Sequence, residues 1–183
     1  MPAGIAPDCP PAMNNHGLGA GFRRRIYGSP LQLIRDLWRL FRATRDILAL
    51  SLKGRISADF RERIMLAVSG VNRCRHCAWG HQLLARIAGV SNAEIAGLLQ
   101  QDLANSPDRQ LPGLLFSIHW AETDGAPTAE ARMALEARYG VRVARQIEAA
   151  ALLINTGNRI GNTFDFLLSR ISRGRCGLLI SER

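Results

Sequence analysis

The chain has 183 residues, the length of one domain or of one domain with a tail, and at that size a core buries roughly 70% of the unfolded surface with no help from metals or disulfides. Lysine and arginine outnumber aspartate and glutamate by 24 to 15, a net charge of +9, and Lys53 is the only lysine. The arginines are spread over every predicted helix, with Arg23, Arg24 and Arg25 the one run, which points to a solvated basic surface and away from nucleic acid. No apolar stretch approaches the roughly 20 residues of a membrane span, and no basic start leads into an apolar run at the N-terminus, so the expectation is no membrane and a cytoplasmic protein.

Residues 1–28, rich in Pro, Gly, Ala and Asn, are expected to be a flexible or loosely docked tail, with a helical domain over 29–183. Ser29 and Pro30 form a helix start, a capping hydroxyl followed by a proline suited to the first turn. Apolar residues at helical spacing from Leu31 to Leu50 predict one helix over 30–53. Ser57 opens the next, with Phe60, Ile64, Ala67, Val68 and Val71 on one side. A short break at Asn72-Arg73 precedes a helix from Cys74 to Ala88, which Gly89 closes. Ser91 and Glu94 make a capping box for a short helix carrying Ile95, Leu98 and Leu99. Further helices are predicted over about 108–121, from Thr128 to Tyr139, and from about Val141 toward Ile171. The last is expected to kink near Asn155, Gly157 and Gly161, with Asn155, Asn158 and Asn162 bonding backbone there. No period-two strand pattern appears. The fold class is all-α, a bundle of about six to eight helices.

Cysteines stand at 9, 74, 77 and 176. Without a secretory signal, the close pair is better read as redox or metal chemistry than as half of a disulfide framework. In Cys74-Arg75-His76-Cys77-Ala78-Trp79-Gly80-His81, helical spacing puts Cys77 one turn from Cys74 and His81 one turn beyond Cys77. A helix start offers unpaired N–H groups and a partial positive charge, so the thiols are expected below their ordinary value of about 8.5. His81 is placed to take the Cys77 proton. Glu62, on the preceding helix, is the candidate carboxylate to fix the tautomer of His81. Trp79 is read as packing, with lining of the site mouth as the alternative, and Cys9 and Cys176 as bystanders. Two cysteines and a histidine also suit zinc, but a fourth ligand is missing unless His76 bends in. No metal or other cofactor is therefore expected.

Glu62, eleven intervening residues, then Cys74-x-x-Cys77-x-x-x-His81 resembles the active-site signature of the alkylhydroperoxidase-D (AhpD) proteins, in the carboxymuconolactone-decarboxylase-like superfamily. His76 matches a histidine often present between the cysteines there. Ala88-Gly89-Val90-Ser91 leading into Glu94-Ile95 resembles the segment after the motif. The resemblance extends over residues 58 to about 125. It implies a thiol-dependent peroxide reductase in which Cys77 attacks a hydroperoxide and Cys74 resolves the sulfenic acid and faces the partner. His81 and Glu62 would form a proton relay, with His76 assisting. It also implies a dithiol electron donor, such as a lipoylated or other thiol protein, and a homo-oligomer, a trimer or hexamer. The Leu- and Phe-rich helix 30–53 independently suggests self-association. Carboxymuconolactone decarboxylation on the same fold and a non-enzymatic redox sensor are the alternatives, the former disfavoured because such members typically lack the dithiol.

Overall fold

The computed structural model describes residues 24–52, 55–172 and 176–177. These form eight α-helices, with no strand among the described residues: α1 (Pro30–Arg42), α2 (Thr44–Leu52), α3 (Ala58–Asn72), α4 (Arg75–Ile87), α5 (Asn92–Leu99), α6 (Leu111–Glu122), α7 (Ala129–Tyr139) and α8 (Val141–Ile171). The all-α architecture is the one the sequence predicts. Among the described residues, no helix is long and apolar enough to cross a membrane. Arg24–Thr163 form one compact unit, and the residues from Phe164 onward group separately.

α3 is the axis of the first unit. Ile64 to Ser69 are all buried, so this helix has no solvent face along its middle. It packs against α4, α5 and α6. A helix surrounded in this way must be apolar on every side or satisfy its polar groups locally, and α3 does both. Ile64, Leu66 and Val68 join a core with Leu98, Leu114 and Ile147. Gly113 lets α6 come close, since a Cβ there would lie 2.6 Å from the Phe60 ring.

The starts of α1, α5 and α7 follow from sequence. Ser29, Ser91 and Thr128 each accept a hydrogen bond from the backbone N–H three residues on. The helix predicted over 30–53 is instead divided at Ala43. The Thr44 hydroxyl donates to the carbonyls of Phe41 (2.6 Å) and Leu40 (3.3 Å), a local bond that competes with the helix ladder. α6 starts at Leu111 rather than near Asp108, because Pro112 has no N–H and fits only the first turn. α8 runs unbroken through Asn155, Gly157 and Gly161. Its asparagines serve another purpose, described below.

Residues 24–28, at the end of the segment read as a tail, run extended alongside the helices. Arg25 N–H donates to the Asn72 carbonyl (3.3 Å) and Tyr27 N–H to the Thr163 hydroxyl (3.0 Å). Residues 1–23 lie outside the described residues.

Candidate active site

The junction between α3 and α4 is a built turn. Arg73 adopts the left-handed conformation (φ 55°), Arg73 N–H donates to the Gly70 carbonyl, and Cys74 N–H donates to Ser69, both at 3.3 Å. This is the bonding of a Schellman motif, the same that Gly89 provides after α4, but with arginine in the glycine position. It turns the chain back at once. Cys74 becomes the N-cap of α4, Cys77 lies in its first turn, and α4 returns antiparallel along α3.

The turn is clamped from α8. Asn72 Nδ2 donates to Asn155 Oδ1 (2.8 Å), the Ser69 hydroxyl donates to Asn158 Oδ1 (3.2 Å), and Asn162 Nδ2 donates to the Asn72 carbonyl (2.7 Å). All five residues are buried. Residues 155, 158 and 162 share one helix face. The kink bonds predicted for these asparagines are therefore replaced by bonds across to α3. A Cβ at Gly161 would lie 3.4 Å from Cys74 Sγ, so the sulfur rests on the α8 backbone.

The two sulfurs are 3.0 Å apart and unbridged. Cys74 is 1% exposed, whereas Cys77 is half-buried. The Cys77 thiol is pushed up from its ordinary value, first by the hydrogen bond shared with the Cys74 sulfur, then by burial, then by the Cys74 charge. This overturns the expectation that the helix start would hold Cys77 low. The hydrogen bond between the sulfurs, and burial after it, outweigh the helix terminus.

Glu62 and His81 meet as the spacing predicts. His81 Nδ1 is 2.7 Å from Glu62 Oε2, while Glu62 Oε1 accepts from Arg61 Nε at 3.1 Å. Burial raises the Glu62 carboxyl, but the hydrogen bond and charge of His81, then those of Arg61, hold it below the usual carboxylate range. An ionised Glu62 bonded to Nδ1 leaves Nε2 of His81 as the nitrogen that can exchange a proton. His81 is on α4 one turn after Cys77, on the same face.

The other predicted residues separate from this group. His76 is exposed and accepts from Arg75 Nε at 3.3 Å. Trp79 is 64% exposed and does not pack; it stands with Leu83 and Ile87 along the outer face of α4. Cys176 is exposed, and Cys9 lies outside the described residues. No three His, Cys, Asp or Glu side chains come together as metal ligands among the described residues. Sequence reasoning missed Arg61, the asparagine clamp and Gly161. Their one available signal was the i, i+3, i+7 spacing of Asn155, Asn158 and Asn162.

The model of the carboxymuconolactone decarboxylase family matches residues 36–109, the segment that holds Glu62, both cysteines and His81. No curated protein and no solved structure matches the chain. The signature read from the residues and the family match agree: residues 36–109 are similar to the carboxymuconolactone decarboxylase family.

Proposed function

We propose that the protein is a thiol-dependent peroxide reductase whose reacting groups are Cys77 and Cys74, with a Glu62–His81 proton relay. The observation that carries this reading is the single arrangement of sulfurs 3.0 Å apart with His81 held by a buried carboxylate at 2.7 Å one turn away. Cys77 is the sulfur a peroxide reaches, because Cys74 is buried against α8. With its thiol pushed up, Cys77 needs a base. His81 takes the proton, and the Cys77 thiolate attacks the near oxygen of the hydroperoxide. The O–O bond breaks, the alcohol leaves with the proton returned by His81, and Cys77 becomes a sulfenic acid. Cys74 then attacks that sulfur, water leaves, and the disulfide closes. A dithiol donor, such as a lipoylated or other thiol protein, returns two electrons and two protons and is itself oxidised to a disulfide. The resemblance implies a partner-facing Cys74; because Cys74 is buried, our reading has the donor meet Cys77, with Cys74 as the leaving thiolate. The assisting role that the resemblance implies for His76 has no contact here to support it, since His76 is exposed and accepts from Arg75.

Peroxide consumption with dihydrolipoamide or dithiothreitol as reductant tests this reading. The expected result is turnover that Cys77→Ser abolishes. His81→Ala should slow it roughly 100–10,000-fold, the usual range for a lost general base. Glu62→Gln should slow it too and add little on top of His81→Ala, since groups acting as a unit give non-additive losses. A single stoichiometric oxidation without turnover would make the dithiol a sensor and overturn the enzyme assignment.

A further inference from the structure

At the other end of α3 from the dithiol, a cavity of about 440 Å³ is lined by Arg55, Arg109 and Arg138, by Ser57 and Gln110, and by an apolar floor that includes Phe60 and Tyr139. That volume is within the range of small-molecule sites, roughly 300–1,000 Å³. No aspartate or glutamate lines it. The three arginines come from separate places: the turn before α3, the turn before α6, and the end of α7. None has a carboxylate partner among the described residues. Some arginines of this unit are paired with carboxylates, Arg63 with Glu94 and Asp59, Arg159 with Asp36, Arg61 with Glu62, and Arg132 with Glu148. Others, such as Arg42 and Arg45, are not paired among the described residues. What sets Arg55, Arg109 and Arg138 apart is that they line one recess. Three arginines lining one recess offer several fork-shaped donors to a single bound anion.

Two more features bear on this recess. Ser57, the N-cap of α3, makes no side-chain capping bond to the helix, and Asp59 in the first turn is the one carboxylate at the positive end of its dipole. The backbone around the recess is also tied down. Arg55 N–H donates to Gln146 Oε1 on α8 (2.8 Å), and the Tyr139 hydroxyl donates to the Arg109 carbonyl (2.8 Å) and accepts from Gly113 N–H (3.2 Å). Gln110 is held by Arg63 and Asp59. The Phe60 and Tyr139 rings lie 6.1 Å apart, an aromatic surface beside the charges. A recess with positive groups at its rim and apolar rings at its floor matches a ligand with a multiply charged head and an apolar body.

We infer that this cavity is a second ligand site, separate from the dithiol, that takes a small organic phosphate. The phosphate sits among Arg55, Arg109 and Arg138 near the start of α3, with its apolar part against Phe60 and Tyr139. Fork geometry makes arginine the better partner for phosphate oxygens, and the tightest contacts are bidentate.

Isothermal titration of the full chain with phenyl phosphate, at constant ionic strength, tests the inference. The expected result is saturable binding at one site per chain, tighter than inorganic phosphate alone. Arg109→Gln and Arg138→Gln should each weaken it about tenfold or more. Arg45→Gln, an exposed arginine on α2, should leave it unchanged, and so should Cys77→Ser. Absence of saturable binding, or equal losses with Arg45→Gln, would overturn the site in favour of unspecific attraction to a basic surface. Loss of binding with Cys77→Ser would place the ligand at the dithiol and overturn it as well. None of these outcomes depends on peroxide turnover, so this site and the peroxidase reading stand or fall separately.

Discussion

Arg73 is an arginine in a conformation that favours glycine, and it sits next to the first cysteine. A side chain in the left-handed region costs about 1–2 kcal/mol, part of which a glycine returns as greater freedom in the unfolded chain. Arg73→Gly should therefore stabilise the protein by about 0.5–1 kcal/mol in urea unfolding without moving the dithiol, because the turn's hydrogen bonds are backbone bonds. Loss of stability would mean that the Arg73 side chain holds the turn. The residue scale is also where sequence reading succeeded and failed most clearly. Glu62 and His81 were legible because helical spacing and an antiparallel return bring positions 62 and 81 together. The direction of the Cys77 shift was not legible, because it depends on a 3.0 Å sulfur contact that spacing permits but does not impose. Trp79 was misread for a similar reason: apolar character alone does not say which face of α4 is covered.

Among the elements, the capped starts were legible, whereas the start of α6 and the break after α1 were not. Serine, threonine and proline mark where α1, α5 and α7 begin, because capping is a local interaction. The division between α1 and α2 rests on one threonine hydroxyl choosing backbone carbonyls, a choice that composition does not announce. The capping box at α5 was half legible. Glu94 N–H does donate to Ser91 (3.2 Å), but its carboxylate turns away to Arg63, meeting Nε at 2.6 Å and Nη2 at 3.1 Å. Arg63 and Glu94 are both buried, and Asp59 and Gln110 complete the network that ties α3 to α5 and α6. Removing one partner from a buried ion pair typically costs about 3–5 kcal/mol. Because Asp59 keeps part of the charge matched, Glu94→Gln should cost about 3 kcal/mol in urea unfolding. A loss below 1 kcal/mol would mean that water reaches Arg63 in the variant.

Across the molecule, the distribution of apolar side chains on α1 is inverted. Asp36 is the buried residue of this helix, held by the Tyr27 hydroxyl and by Arg39 and Arg159. Leu31, Ile34, Trp38 and Phe41, spaced three or four apart, are all more than half exposed, with Trp38 and Phe41 stacked at 5.5 Å. Apolar surface of this kind on one helix face is what a partner copy covers. We predict a homo-oligomer, as the resemblance and the helix pattern both suggested, with this face in the contact. Light scattering should give a mass above 20.1 kDa for the parent chain and a shift toward that value for Trp38→Glu combined with Phe41→Glu. A parent that is monomeric at every concentration would contradict it.

We propose that buried Glu62, through His81, promotes loss of the Cys77 proton. Iodoacetamide alkylation of Cys77 against pH tests it most directly, in a Cys74→Ser background that removes the competing sulfur. Only the thiolate reacts, so the midpoint of the curve follows the Cys77 proton. In the proposed relay His81, held by Glu62 through Nδ1, takes the thiol proton. The account predicts that His81→Ala moves the midpoint up by about one pH unit or more, and Glu62→Gln moves it up by less. Superimposable curves for the parent and both variants would contradict the relay and leave the dithiol activated by the start of α4 alone.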